Sequence, residues 1–160
     1  MSRYFTAIDI PDTIKKELVS YFYTELKKYF DGNFVDEEKL HITLVFLGDI
    51  KIEKDFIDFI EKLQFSKMMT ISGIGGFPSI KNPRVIYAEV HEELGYLAER
   101  ISNFIGIPID KEFMPHVTLC RVKKIKDRNY DFSLMNKEFK FPVNGVHLFS
   151  SDFKNYQKIV

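Results

Sequence analysis

The segment Lys39-Leu40-His41-Ile42-Thr43-Leu44-Val45-Phe46-Leu47-Gly48 has the composition of a β-strand. Its β-branched and aromatic residues follow one another until a Gly-Asp turn ends the run. Because side chains alternate between the two faces of a strand, His41 and Thr43 share one face, and Ile42 and Leu44 share the other. We therefore expect this strand to present an imidazole and a hydroxyl group on one face while its apolar face packs on a core.

The same pattern occurs a second time, as His116-Val117-Thr118-Leu119. Either tetrapeptide alone is typical of an ordinary strand, but two copies in 160 residues predict two matched half-sites. Imidazoles exchange protons near neutral pH, so two facing histidines can serve as general base and general acid. The threonine hydroxyls can donate hydrogen bonds to anionic oxygens between them. This chemistry suits phosphodiester cleavage, or its reverse, without a metal ion.

The composition predicts one globular domain over residues 1–160, because the chain is long enough for a core and 45% hydrophobic. The 23 basic and 23 acidic residues balance, so we expect any contact with nucleic acid to be local. The apolar runs are shorter than the ~20 residues of a membrane span, and the charged residues near the start lead us to expect no signal peptide. The single cysteine fits a reducing compartment. We predict a cytoplasmic monomer without membrane contact.

Hydrophobic periodicity predicts the order strand, helix, motif strand twice along the chain. This repeat predicts an α+β fold with two lobes related by an approximate two-fold axis. Each lobe has an antiparallel sheet flanked by helices, and the active cleft lies between the lobes. The predicted strands span 3–10, 39–48, 68–73, 84–90, 116–122, 139–149 and 156–160, and the predicted helices span 12–30, 52–63 and 92–104.

The two motifs resemble the paired His-x-Thr signatures of the 2H phosphoesterase superfamily. Within it, nearly the whole chain resembles the RNA 2′,3′-cyclic phosphodiesterases, also called 2′-5′ RNA ligases. The similar segments include the opening strand from Phe5 to Pro11, the central segment from Pro83 to Tyr87 and the second motif with its flanks from Pro115 to Val122. The resemblance implies opening of a terminal 2′,3′-cyclic phosphate to a 2′-phosphomonoester, with 2′-5′ ligation as the reverse reaction and no cofactor. It implies an acid–base pair of His41 and His116, and phosphate binding by Thr43, Thr118 and Arg121.

The sequence alone leaves several of these assignments open. In such enzymes the second histidine is usually the base for water and the first is the acid, but residue types do not distinguish the two roles here. Strict alternation would place Arg121 on the face opposite His116, so its assignment requires a bend or twist after Leu119. Phe113 is a candidate for stacking on a terminal base, with core packing as an alternative that is at least as good, and Tyr4 and Arg84 are candidates for lining the cleft. The four histidines lack metal-ligand spacing, so we expect no metal site.

Two other functions are compatible with the sequence. The motifs could bind a 2′,3′-cyclic or 2′-phosphate end without turnover, although recognition alone needs no acid–base couple. A related enzyme could instead act on a small cyclic nucleotide such as ADP-ribose cyclic phosphate. The partner that we expect is RNA with 2′,3′-cyclic phosphate ends, for example tRNA halves. A basic cluster beside the second motif either guides such RNA or is simply solvated, and it consists of Arg121, Lys123, Lys124, Lys126 and Arg128.

Overall fold

The structure is a computed structural model that describes residues 3–109, 113–152 and 155–160. Two antiparallel sheets with helices outside them form the fold, so the predicted α+β class is confirmed. The sequence also predicts a loop through Pro108, Ile109 and Asp110, of which Asp110 lies outside the described residues. The elements are β1 (Arg3–Asp9), α1 (Asp12–Leu26), β2 (Phe30–Phe34), a 3₁₀ turn (Glu37–Lys39), β3 (His41–Gly48), α2 (Lys54–Lys62), β4 (Ser66–Phe77), β5 (Val85–Val90), α3 (Gly95–Ile105), β6 (His116–Ile125), β7 (Phe139–Asn144), β8 (His147–Ser151) and β9 (Tyr156–Lys158).

The two motif strands lie in different sheets. The first sheet has the strand order β3-β1-β8-β9, and the second has the order β2-β6-β5-β4-β7. In each sheet the motif strand pairs antiparallel with the strand that opens its repeat, β3 with β1 and β6 with β5. Residues of β3 and β6 also contact each other where the sheets meet. The repeat in the sequence thus corresponds to two equivalent strand pairs that face each other.

The helix of each repeat packs on the sheet that holds the other motif strand. Helix α1 contacts β7 in the second sheet, where the rings of Phe22 and Phe139 are 6.0 Å apart. Helix α3 contacts β3 in the first sheet, and α2 covers the same sheet through β8. The stacked rings of Phe59 and Phe104, 4.2 Å apart, join α2 to α3. Each lobe is therefore built from both halves of the chain. Among the described residues, no helix is long and apolar enough to cross a membrane.

The prediction of a helix up to Phe30 is wrong at its C-terminal end. Helix α1 ends at Leu26, and the predicted turn at Asp31-Gly32-Asn33 is part of strand β2, which pairs with β6. Phe30 is part of the hydrophobic core and is only 1% exposed. A Cβ atom at Gly32 would overlap the carbonyl oxygen of Arg121, so glycine lets the two strands approach. A tertiary contact has overridden the local turn signal.

The strand predicted over residues 139–149 is two strands in different sheets. Strand β7 ends at Asn144 as an edge of the second sheet, and β8 begins at His147 in the middle of the first. Gly145, between them, has a φ of +80°, which a residue with a side chain rarely adopts. The chain uses this glycine to cross from one sheet to the other.

We predict that Gly32→Ala lowers the free energy of unfolding by about 1–3 kcal/mol, because the added methyl group must push β2 away from β6. Urea unfolding followed by circular dichroism measures the change. The matched control is Asn33→Ala, since Asn33 is the neighbouring residue of β2 and is exposed. Equal stabilities of the two variants would contradict this account of the β2–β6 approach.

Candidate active site

A cavity of about 420 Å³ lies between the two motif strands. Five of the residues predicted from the motifs line it together: His41, Thr43, His116, Thr118 and Arg121. Its other walls come from β1, the segment between β2 and β3, β8 and β9. The remaining lining residues are Arg3, Tyr4, Phe5, Val35, Lys39, Phe46, Gly48, Ser151 and Tyr156.

Each motif strand has a β-bulge directly after its threonine. In β6, Thr118 pairs with Tyr87 and Cys120 pairs with Ile86, so Leu119 is the additional residue. The bulge reverses the alternation of side chains, and Leu119 and Cys120 are consequently both buried. Arg121 therefore lies on the cleft side with the motif residues. This bulge is the bend after Leu119 that a cleft position for Arg121 requires.

The bulge in β3 places Phe46 in the cleft. Thr43 pairs with Ala7 and Val45 pairs with Thr6, which makes Leu44 the additional residue. Phe46 follows His41 at the same interval as Arg121 follows His116. Its side chain lines the cavity and is 72% exposed, which is unusual for a phenylalanine. Sequence reasoning missed this residue because strict alternation predicts that Phe46 faces the core, although the matching interval after the two histidines could have revealed it.

The two imidazoles are oriented in the same way by backbone carbonyl groups. Nδ1 of His41 donates a hydrogen bond to the Lys39 carbonyl oxygen at 2.7 Å, and Nδ1 of His116 donates to the Met114 carbonyl oxygen at 2.8 Å. Since a carbonyl oxygen only accepts, each neutral ring carries its proton on Nδ1 and leaves Nε2 unprotonated. Nε2 of His41 accepts from the hydroxyl group of Thr43 at 2.9 Å. The geometry thus selects Nε2 as the reactive nitrogen.

Aromatic rings hold both imidazoles in place. The ring of Phe5 lies 4.8 Å from that of His41, and Tyr156 meets the same imidazole edge-on at 5.5 Å. In the other lobe, Tyr87 and Phe77 lie 5.2 and 5.3 Å from His116. Packing on both sides restricts the rings to few orientations, which is what a positioned acid or base requires.

Burial lowers the pKa of His41 below its ordinary value. The hydrogen bond to the Lys39 carbonyl acts in the opposite direction, because it favours the charged ring. Among nearby charges, Lys15 and His116 lower the pKa of His41 and Asp9 raises it. The cleft without ligand therefore favours a neutral His41, and a bound anion would shift the balance towards the imidazolium.

The three residues considered for base or cleft contacts have different positions. Tyr4 lines the cavity. Phe113 does not: it is partly buried against the hydrophobic core and borders a separate groove beside α3. Arg84 is exposed and is not among the lining residues. Its backbone instead closes the end of β5, where its N–H donates to the Phe77 carbonyl oxygen at 2.6 Å and its carbonyl accepts from Val122 at 2.8 Å.

The basic cluster beside the second motif is divided by the fold. Arg121 faces the cleft, whereas Lys126 forms an ion pair with Asp31 at 3.6 Å. The guanidinium group of Arg128 donates to the Lys81 carbonyl oxygen at 3.0 Å and to the Asn82 side chain at 2.9 Å. These bonds give Lys126 and Arg128 a structural role, and of the five residues of the cluster Arg121 is the one that lines the cavity.

The chemistry of the cleft is that of proton transfer beside hydrogen-bond donors for an anion. Two imidazoles supply a base and an acid, and two hydroxyl groups and a guanidinium group can hold phosphate oxygens. The buried thiol of Cys120 lies behind the strand, and burial raises its pKa to about 11, so it is a poor nucleophile. In the described part of the chain, no group of three or more His, Cys, Asp or Glu side chains could hold a metal ion.

The family model for LigT-like phosphoesterases matches residues 8–87 and 88–156, which include both motifs. A relative from Thermotoga maritima named RNA 2′,3′-cyclic phosphodiesterase is 32% identical over 79% of this chain and 73% of its own length. A relative of the same name from Methanocaldococcus jannaschii is 34% identical over 79% of this chain and 78% of its own length.

Solved structures agree with this match. A protein from Thermus thermophilus aligns over 99% of this chain and 95% of its own, with a TM-score of 0.75 and 27% identity. Escherichia coli LigT, solved with ATP, aligns over the same shares with a TM-score of 0.73, and at 24% identity it shows the common fold alone. The resemblance to 2H phosphoesterases inferred from the motifs is confirmed, and the chain belongs to the family of LigT-like phosphoesterases.

Proposed function

We propose that this enzyme opens the 2′,3′-cyclic phosphate at the end of an RNA to a 2′-phosphomonoester. The observation that carries the proposal is the pair of imidazoles in one cleft, both with Nδ1 bonded to a backbone carbonyl and Nε2 left as the reactive nitrogen. The names of the relatives from Thermotoga maritima and Methanocaldococcus jannaschii support RNA as the substrate.

The reaction needs one base and one acid on opposite sides of phosphorus. One imidazole removes a proton from water through Nε2, and the water oxygen forms a bond to phosphorus as the bond from phosphorus to the 3′ oxygen breaks. The other imidazole enters as the imidazolium and gives its proton to the 3′ oxygen. One water is consumed, a 2′-phosphomonoester and a free 3′ hydroxyl group form, and a proton shuttle through solvent restores both rings.

The remaining donors stabilise the charge on the phosphate oxygens. Thr43 and Thr118 place one hydroxyl group beside each imidazole, and Arg121 adds a guanidinium group from the second lobe. In the ligand-free cleft Thr43 donates to Nε2 of His41. When that nitrogen gains a proton, it becomes a donor and the hydroxyl group is released to donate to the phosphate.

Phe46 is the residue that we assign to the terminal nucleobase. It takes the position in β3 that Arg121 takes in β6, so the equivalent positions of the two motif strands differ: β6 has a cation for phosphate and β3 has an exposed ring. An exposed aromatic ring next to a phosphate site can stack on any base, which gives affinity without strong sequence preference. The asymmetry would fix the direction in which the RNA end enters.

Four finer points stay predictions. These are action on tRNA halves, 2′-5′ ligation as the reverse reaction, a monomeric state and a cytoplasmic location. The rival substrate, a small cyclic nucleotide such as ADP-ribose cyclic phosphate, would use the same imidazoles, and comparing its kcat/KM with that of an oligonucleotide separates the two. Binding of RNA ends without turnover would leave the acid–base pair without a role.

We predict that His41→Ala and His116→Ala each lower kcat on an oligoribonucleotide with a 2′,3′-cyclic phosphate by about 10²–10⁴-fold, because each removes a positioned proton-transfer group. Chromatographic separation of the cyclic and opened ends measures the rate. The control is His91→Ala, since His91 is exposed, lies outside the cleft lining and its ring bonds to the carbonyl group of Ser72 in β4. Circular dichroism confirms folding. Near-normal turnover by either folded cleft variant would refute the mechanism.

A substrate with sulfur in place of the bridging 3′ oxygen will assign the two roles. A thiolate leaves without protonation, so we expect the variant that lacks the acid to recover most of its rate on this substrate, while the variant that lacks the base stays slow. Comparing the oxygen and sulfur substrates in His41→Ala and His116→Ala measures this directly. Equal recovery of both variants, or of neither, would contradict the division into one acid and one base.

We predict that Phe46→Ala raises KM by about 5–150-fold, the equivalent of ~1–3 kcal/mol of base stacking, and that Phe46→Tyr stays near the wild type. Assays at varied substrate concentration measure the change. A terminal ribose 2′,3′-cyclic phosphate without a base is the matched substrate, and its KM should not respond. Leu134→Ala is the control variant, because Leu134 is 87% exposed and outside the cleft lining. The assignment of Phe46 to the base is wrong if Phe46→Ala raises KM equally for the substrate without a base.

A further inference from the structure

Lys15 is buried although it belongs to a surface helix. Its side chain is 8% exposed, whereas the next residue of α1, Lys16, is exposed. Lysine is almost never fully buried without a partner, because removing an ammonium group from water is costly. The hydrophobic stripe of α1 does not require a lysine at this position, and Lys15 takes no part in the proton transfers of the proposed reaction. Its partners therefore indicate what it does.

The ammonium group of Lys15 joins three segments of the chain. It forms an ion pair with Asp9, at the end of β1, at 3.1 Å, and lies 3.9 Å from Asp12 in its own helix. It also donates a hydrogen bond to the Glu38 carbonyl oxygen at 3.1 Å. Glu38 is the middle residue of the 3₁₀ turn that leads into β3. Helix α1 thereby fixes the turn that immediately precedes the first motif.

The turn held by Lys15 provides the carbonyl group that orients His41. The residue after Glu38 is Lys39, whose carbonyl oxygen accepts the hydrogen bond from Nδ1 of His41 at 2.7 Å. We propose that Lys15 is a positioning residue for His41: by holding the Glu38 carbonyl group it fixes the Lys39 carbonyl group, and so the ring orientation and the tautomer with a free Nε2. This proposal deepens the proposed function and rests on it for the consequence in catalysis.

A second observation agrees with this role. Asp9 lies opposite His41 in the pairing of β1 with β3, so the ion pair of Lys15 and Asp9 sits at the same level of the sheet as the imidazole. The charged or titratable groups around His41 are Lys15 from α1, Asp9 from β1, His116 from β6, Tyr156 from β9 and Lys39 from the turn, with Lys158 bonded to Asp9 at 3.8 Å. Lys15 lowers the pKa of His41 and its partner Asp9 raises it. The effects of the two charges on the pKa of His41 therefore oppose each other, which leaves the position of the turn as the main contribution of the pair.

The proposal is tested with Lys15→Met, with Lys16→Met as the matched control on the exposed side of the same helix. In the wild type and in Lys16→Met, nitrogen NMR of the neutral His41 ring should show the proton on Nδ1 alone. In Lys15→Met we expect a mixture of the two tautomers and a loss of kcat of about 10–100-fold with a smaller change in KM. Lys15→Arg, which keeps the charge and the donor, should recover most of both.

A merely structural role for Lys15 predicts a different result. Lys15→Met would then melt at a lower temperature, while the tautomer of His41 and kcat measured below the melting range would match the wild type, and this result would overturn the proposal. If the unpaired Asp9 unfolds that variant, the double variant Asp9→Asn, Lys15→Met removes both charges, and the same expectations for tautomer and kcat apply to it. The tautomer measurement needs no substrate, so it separates failure of this proposal from failure of the proposed reaction.

Discussion

Each motif strand has a residue directly after its threonine that its partner strand does not pair. The resulting bulges determine what the cleft contains. Without them the alternation of side chains would continue, and Arg121 and Phe46 would point away from the histidines. With them, two consecutive residues of each strand are buried, and the next side chain returns to the cleft. The three-residue motif thereby becomes a half-site of imidazole, hydroxyl group and one further group that differs between the lobes.

The two half-sites share their geometry and differ in their chemistry. Both imidazoles use a backbone carbonyl two residues earlier to direct Nε2 into the cleft, and both are packed by aromatic rings of neighbouring strands. The first lobe adds the exposed ring of Phe46, and the second adds the cation of Arg121. A symmetrical phosphate centre can thus be bound by an enzyme that still distinguishes the base side of its substrate from the phosphate side.

The motifs and their periodicity predicted both motif strands, the fold class and the shared face of His41 and Thr43, because these follow from local alternation and composition. They did not predict β2, since Asp31-Gly32-Asn33 has the composition of a turn and becomes a strand only through its contact with β6. The position of Phe46 was missed because a bulge depends on the pairing of two strands that are distant in sequence. Phe113 was a candidate because it precedes the second motif, but its side chain is partly buried against the hydrophobic core.

In the proposed reaction, two imidazoles open a 2′,3′-cyclic phosphate so that the 3′ oxygen leaves. The most direct measurement incubates the wild-type enzyme with an RNA that ends in a 2′,3′-cyclic phosphate, in the presence of a chelator, and identifies the product by the coupling of its phosphorus to the ribose protons. We expect coupling of phosphorus to the 2′ proton alone, with the mass of one added water. Coupling to the 3′ proton, or a cyclic end that is unchanged until metal is restored, would contradict it.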